Sequence, residues 1–128
     1  MIQRLRNRIT VSEKEGGFTL IELLVVIIII GILLAIAIPS YLSFRSRAER
    51  SAAQANVRAA IPGVEAFYAD RNTYSTLTSA ILKSSYDAGI KNVQVVRATA
   101  SSYCIESTVG QAEYNKAGPA ASIAQGSC

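Results

Sequence analysis

From Phe18 to Ile38 the chain runs for twenty-one residues with only Thr19 and Glu22 polar. As an α-helix this segment is about 31 Å long, close to the hydrocarbon thickness of a bilayer. In lipid, a helix satisfies all its backbone groups within one segment. Residues 1–17, ahead of it, are polar and mostly basic and end in Gly16-Gly17. Behind it, Pro39 lacks the N–H that would bond to Ala35, which predicts a kink. The following stretch, SYLSFRSRAERSAAQANVRAA, is rich in alanine and other good helix formers. Ala53, Val57, Ile61, Val64 and Tyr68 recur at helical spacing and predict one apolar stripe. Pro62-Gly63 interrupts the stripe without changing its phase. The pattern therefore predicts one kinked helix from about Phe18 to Ala69.

The period then changes. Asp70-Arg71-Asn72 is a turn cluster. A short helix is expected around Ser79–Ser85, stopped by Gly89. KNVQVVRATA, SSYCIESTVG and AEYNKAG read as three short strands with tight connections, hence an antiparallel sheet. Tyr103, Ile105 and Val109 share one parity and would cover the stripe on the helix. The tail, PAASIAQGSC, reads as irregular. The predicted class is α+β: a long N-terminal helix, with a membrane half and an amphipathic half, against a small antiparallel sheet of about three strands.

Composition narrows the chemistry. Apart from the apolar run, the 128-residue chain is rich in Ala, Ser, Thr and Gly and can bury only a small core. The net charge is +4; Arg4, Arg6, Arg8 and Lys14 against Glu13 and Glu15 supply +2 of it, leaving +2 for the rest. That balance does not support DNA as a partner. Histidine is absent, which removes Ser-His and Cys-His catalysis and the commonest metal ligand. Beyond the apolar run, Glu49, Glu65, Asp70, Asp87, Glu106 and Glu113 form no motif, and no calcium loop is present. No catalytic residue, metal site or cofactor is predicted. Cys104 and Cys128 read as a disulfide if this part of the chain is exported. Tyr41 and Phe44 read as a membrane-interface belt, and the other aromatics as core.

Charge counting leaves the orientation of the span undecided. Four basic residues precede the run, and Arg45, Arg47, Arg50 and Arg58 follow within twenty residues. Glu22 is the informative residue. A carboxylate in a membrane helix costs a few kcal/mol and points to a functional partner. No basic residue lies between Phe18 and Arg45. A cation must come from another chain or from a newly made amino terminus.

The segment GGFTLIELLVVIIIIGILLAIAIPSY resembles the start of a type IV pilin precursor. The likeness at this level covers residues 16 to about 41; the rest resembles pilins in architecture only. It implies that a prepilin peptidase cuts between Gly17 and Phe18 on the cytoplasmic side and methylates the new amine of Phe18. Residues 1–17 would then be a leader, 18–39 the hydrophobic assembly helix, and 40–128 a head carrying the amphipathic half of the helix. Glu22, with Thr19, would act in assembly, the carboxylate meeting the amine of a neighbouring subunit. Gly31 and Pro39 match positions between which family helices lose regular structure in the fibre. The implied partners are further copies in a helical filament, the cytoplasmic membrane before assembly, the peptidase, a pilus assembly ATPase and a membrane platform protein. The implied location is the inner membrane for the precursor and the cell surface for the pilus, with adhesion, surface motility or DNA uptake as the fibre's role.

Two departures bear on subclass: the leader is long for a mature chain beginning with Phe, and EGG precedes the cut where a basic residue is common. The alternative within the family is a pseudopilin of a type II secretion or competence machine, which shares the first forty residues. From another class, a signal-anchored binding domain that stays monomeric would keep its amino terminus uncut.

Overall fold

A computed structural model describes residues 17–128 of the chain. The leader expected over 1–17 therefore lies outside the described residues, apart from Gly17. The chain divides into two units, Met1–Tyr41 and Leu42–Cys128. One helix, α1 (Leu20–Arg71), contributes to both and is continuous through Pro39 and Pro62. In the first unit its described residues are all exposed, including every large side chain from Phe18 to Ile38.

In the second unit α1 is followed by a short helix α2 (Ser79–Ile81), a π-helical turn (Leu82–Tyr86) and four strands: β1 (Val93–Ala98), β2 (Tyr103–Val109), β3 (Ala112–Gly118) and β4 (Ala124–Gln125). The sheet is antiparallel in the order β1-β2-β3-β4. One face packs on α1. The core combines Ala53, Val57, Ala60, Val64 and Phe67 of the helix with residues such as Leu82, Ile90, Tyr103 and Ile105.

The buried stripe is rotated from the predicted one. Ala60 and Phe67 are buried, whereas Ile61 and Tyr68 sit half-buried at its rim. The contact centres on small residues: a Cβ on Gly63 would lie 3.5 Å from both Ile90 and Leu82. Larger side chains at the centre would hold these neighbours away from the helix. Across the interface the buried Ser107 accepts a hydrogen bond from Asn56 Nδ2 at 3.2 Å.

The helix ends as the turn cluster suggested. Asn72 takes a left-handed φ of 55°, and its N–H reaches Tyr68 O at 2.7 Å. Asparagine tolerates this conformation and can stand at a helix C-terminus as glycine does. The second helix differs from expectation: only Ser79–Ile81 is α-helical, capped by the Thr78 hydroxyl, and the chain then widens into a π turn. Asp87 closes this element, its N–H on Leu82 O at 2.9 Å and its carboxylate taking Gly89 N–H at 2.8 Å. The stop thus lies two residues before Gly89.

The sheet has four strands where about three were expected. The tail is tied down by side chains, which lets Ala124–Gln125 pair with β3. Asn115 Nδ2 donates to Gly126 O at 2.8 Å, Lys116 Nζ to Ala121 O at 2.6 Å, and Cys128 N–H to Glu106 Oε2 at 2.8 Å. Cys104 and Cys128 are joined by a disulfide across 24 residues.

The β2–β3 hairpin is latched to the helix. Gly110 has φ +60° at the first of two loop positions, as a II′ turn requires. Gln111 N–H donates to Glu49 Oε2 at 3.2 Å, and Glu49 also pairs with Arg45 at 3.1 Å. Three tyrosines close the other end of the core. Tyr68 stacks on Tyr74 at 4.5 Å, and Tyr74 lies 4.9 Å from Tyr103. Burial, then the carboxylate of Glu65, pushes the Tyr74 pKa up to about 12, and Tyr74 donates to that carboxylate at 3.2 Å. The buried Tyr103 hydroxyl is raised further by the same causes and makes no hydrogen bond among the described residues.

Gly118 lies against the Tyr103 ring so closely that a Cβ would overlap it. Gly118→Ala should cost about 1–3 kcal/mol through overpacking, read as a lower midpoint in tyrosine near-UV circular dichroism. An unchanged midpoint would show that the two are not in contact. The double variant Cys104→Ser, Cys128→Ser should lose about 3 kcal/mol, because a loop of that length is no longer closed in the unfolded chain. Equilibrium denaturation measures this.

Candidate assembly site

The head of α1 is built from its first residues. Thr19 is the N-cap: its carbonyl accepts from Leu23 N–H, and its hydroxyl accepts from Glu22 N–H at 3.3 Å. Glu22 reaches back, and its Oε2 accepts from Thr19 N–H at 3.2 Å. The two side chains thus form a reciprocal capping box. Orphan amides at a helix start are costly in an apolar medium, and the box satisfies two of them. Both residues are exposed, as are Gly17 and Phe18 just before the helix.

Glu22 therefore has a neutral partner within its own chain. Reasoning from charge looked for a cation and missed Thr19 N–H. The signal was present, since T-x-x-E immediately before an apolar run is the sequence mark of this cap. The carboxylate is held at the helix start by its bond from Thr19 N–H.

Gly31 and Pro39 both lie inside regular helix here, and nothing lies within 4 Å of where a Gly31 Cβ would be. One turn around Pro39 carries an extra bond, from the Ser40 hydroxyl to Ile36 O at 3.2 Å. The proline itself leaves the Ala35 carbonyl without its helical donor. Of the residues singled out in the sequence, the fold joins Thr19 to Glu22 and Cys104 to Cys128. Glu49, Glu65 and Glu106 each bind a group elsewhere in the head, and gather at no common site. α1 is long and apolar enough to cross a membrane.

Residues 13–38 match the family model described as the prokaryotic N-terminal methylation motif. The chain is 40% identical over 95 residues to the type IV wide pilus major component PilA4 of Thermus thermophilus, covering 73% of this chain and 72% of that protein. It is 43% identical over 70 residues to the type IV major pilin protein PilA of Myxococcus xanthus, covering 55% of this chain and 32% of that longer protein. It is 31% identical over 65 residues to the type II secretion system core protein G of Escherichia coli, covering 51% of this chain and 45% of that one. An α+β head on a long apolar helix with a capped carboxylate defines a class of helix-anchored subunits. The chain belongs to the type IV pilin family within it.

The capping box has a direct test. Thr19→Val removes the hydroxyl at nearly constant volume and should cost the helix start about 1 kcal/mol. Amide exchange at Leu20 to Leu23 in micelles should speed up several-fold, while exchange near Ile30 stays unchanged. Equal rates in both chains would refute the cap.

Proposed function

We propose that the chain is a structural subunit of a type IV pilus, acting by assembly and without catalysis of its own. The observation that carries this reading is the shared sequence with the Thermus wide-pilus component, which spans 95 residues, far more than the apolar run, and so extends into the head. The match to the type II secretion protein is shorter and covers less than half of that protein, so the pseudopilin reading stands second.

On this reading residues 1–17 are a leader. A prepilin peptidase removes it between Gly17 and Phe18 and methylates the amine of Phe18. Residues 18–39 hold the subunit in the cytoplasmic membrane until an assembly ATPase and a membrane platform protein move it into the fibre. The globular head, on the outside of that fibre, faces the cell's surroundings.

The physics of Glu22 suits such a transfer. In the single chain its carboxylate accepts from a neutral amide at 3.2 Å. An ammonium on a neighbouring subunit offers a full opposite charge, whose Coulomb attraction in an apolar medium a neutral amide cannot match. Pairing also offsets much of the cost of each charge in an apolar bundle. The exchange from cap to neighbour therefore favours the assembled state. Gly31 and Pro39 mark where the helix would loosen most cheaply during packing, because glycine lowers helix propensity and proline has already removed one hydrogen bond.

Intact mass of the chain from cells should be that of residues 18–128 plus one methyl, and Gly17→Ala should keep the leader on. Glu22→Ala should be cut and stay in the membrane but be lost from sheared fibres. An uncut wild-type chain would overturn the processing, and normal fibres from Glu22→Ala would overturn the carboxylate's role.

A further inference from the structure

We propose that the turns of α1 just beyond the apolar run form a docking surface for anionic phospholipid headgroups, with Arg47 and Arg50 holding phosphate and Leu42 and Phe44 seated at the acyl boundary. This rests on the membrane-span reading of the preceding helix.

The oily surface does not stop at Pro39. Leu42 is 57% exposed and Phe44 72% exposed. After Phe44 no large apolar side chain of α1 is exposed. The change from apolar to polar surface therefore falls at Phe44, and an aromatic ring at that level is what a membrane interface favours.

Arginines follow at once. Arg45 is committed: its Nε pairs with Glu49 Oε1 at 3.1 Å, while the other Glu49 oxygen takes Gln111 N–H. Arg47 and Arg50 are exposed, and neither has a carboxylate within ion-pair distance among the described residues. They stand three apart, neighbours on one side of the helix and about 4.5 Å apart along its axis. Phe44 is three residues before Arg47, so the ring neighbours Arg47, which in turn neighbours Arg50, the three winding about a third of the way round the helix. A planar guanidinium matches phosphate bidentately, which suits it to a lipid headgroup better than to a point anion.

Placement adds to this. If the amino-terminal end of the span faces the cytoplasm, these arginines lie on the translocated side, where basic residues close to a span are disfavoured. A cluster kept there against that bias calls for a local anion. Phosphates are the anions that lie at the depth of a residue just past an interface aromatic, and an anionic leaflet attracts each nearby basic side chain.

The chain has no tryptophan, so Phe44→Trp places a single reporter at the boundary. The full chain with this change would be reconstituted in vesicles containing brominated phosphatidylglycerol or brominated phosphatidylcholine. Quenching should report a several-fold preference for the anionic lipid at low salt, shrinking as salt is raised. Adding Arg47→Gln and Arg50→Gln should bring the preference down to about one, since each arginine contributes a share of the attraction to the anionic leaflet. Equal quenching by the two lipids overturns the proposal while leaving the span intact. Equal quenching together with loss of fibres in the glutamine variants assigns the pair to a second copy of the chain instead, and overturns it likewise. Absence of quenching by either lipid overturns the span reading itself, and the proposal with it.

Discussion

The structure depends on one helix meeting two kinds of surroundings. From Leu20 to Phe44 its large side chains, Glu22 apart, are mainly apolar, and all are exposed. From Ala53 to Phe67 a single narrow stripe is dry beneath a sheet. Exposed apolar surface on this scale is tolerable only where lipid or other apolar helices replace water. The same medium makes unsatisfied amides expensive, so the start of the helix needs an internal answer. Thr19 and Glu22 supply it by capping each other. Glu22 thereby serves local structure in the single chain, and on the proposed pilus role the same carboxylate would serve assembly.

The head answers a different difficulty. Its helix face is alanine, glycine and valine with Phe67 the one large side chain, and small side chains make little apolar area for the sheet to cover. They do let the partners come close, as Ile90 and Leu82 do over Gly63. Directional bonds then hold what area alone would leave loose. Glu49 holds the β2–β3 turn, Asn56 holds Ser107, Glu65 holds Tyr74, and Glu106 holds the last residue of the tail. The Glu49 and Asn56 bonds tie the helix to the sheet across 62 and 51 residues, fixing register where an alanine surface would not, while Glu65 and Glu106 close shorter spans of 9 and 22 residues. The disulfide adds a covalent tie between β2 and the tail.

This division bears on the proposed pilus role. Forces acting on a fibre subunit would reach the head through α1, and the Glu49 latch at the hairpin sits on the first turns that belong to the head. Arg47 and Arg50, proposed above to meet lipid headgroups, lie on those same turns, whereas Glu49 is engaged by Arg45 and the hairpin. The proposed headgroup contact and the integrity of the head would thus use different residues of one short segment.

The sequence by itself determined the long helix, the membrane-compatible run, the three main strands and the family, because each is a local pattern: a period, an unbroken apolar stretch, or a short motif with its flanks. It also contained the capping box, which could be read from the T-x-x-E spacing but was obscured by treating Glu22 only as a charge. The tertiary structure decided what depends on contacts between distant segments. It rotated the buried stripe to Ala60 and Phe67: small residues, Ala60 and Gly63, lie where Leu82 and Ile90 come close, and the one large ring, Phe67, lies beyond them in the core. It made β4 from a tail without strand character, because Asn115, Lys116 and Glu106 happen to face it. It gave Glu49 its hairpin and Gly118 its tyrosine ring. None of these pairs has a spacing rule, since the distance between partners in the chain is set by the whole fold and not by the period of any one element.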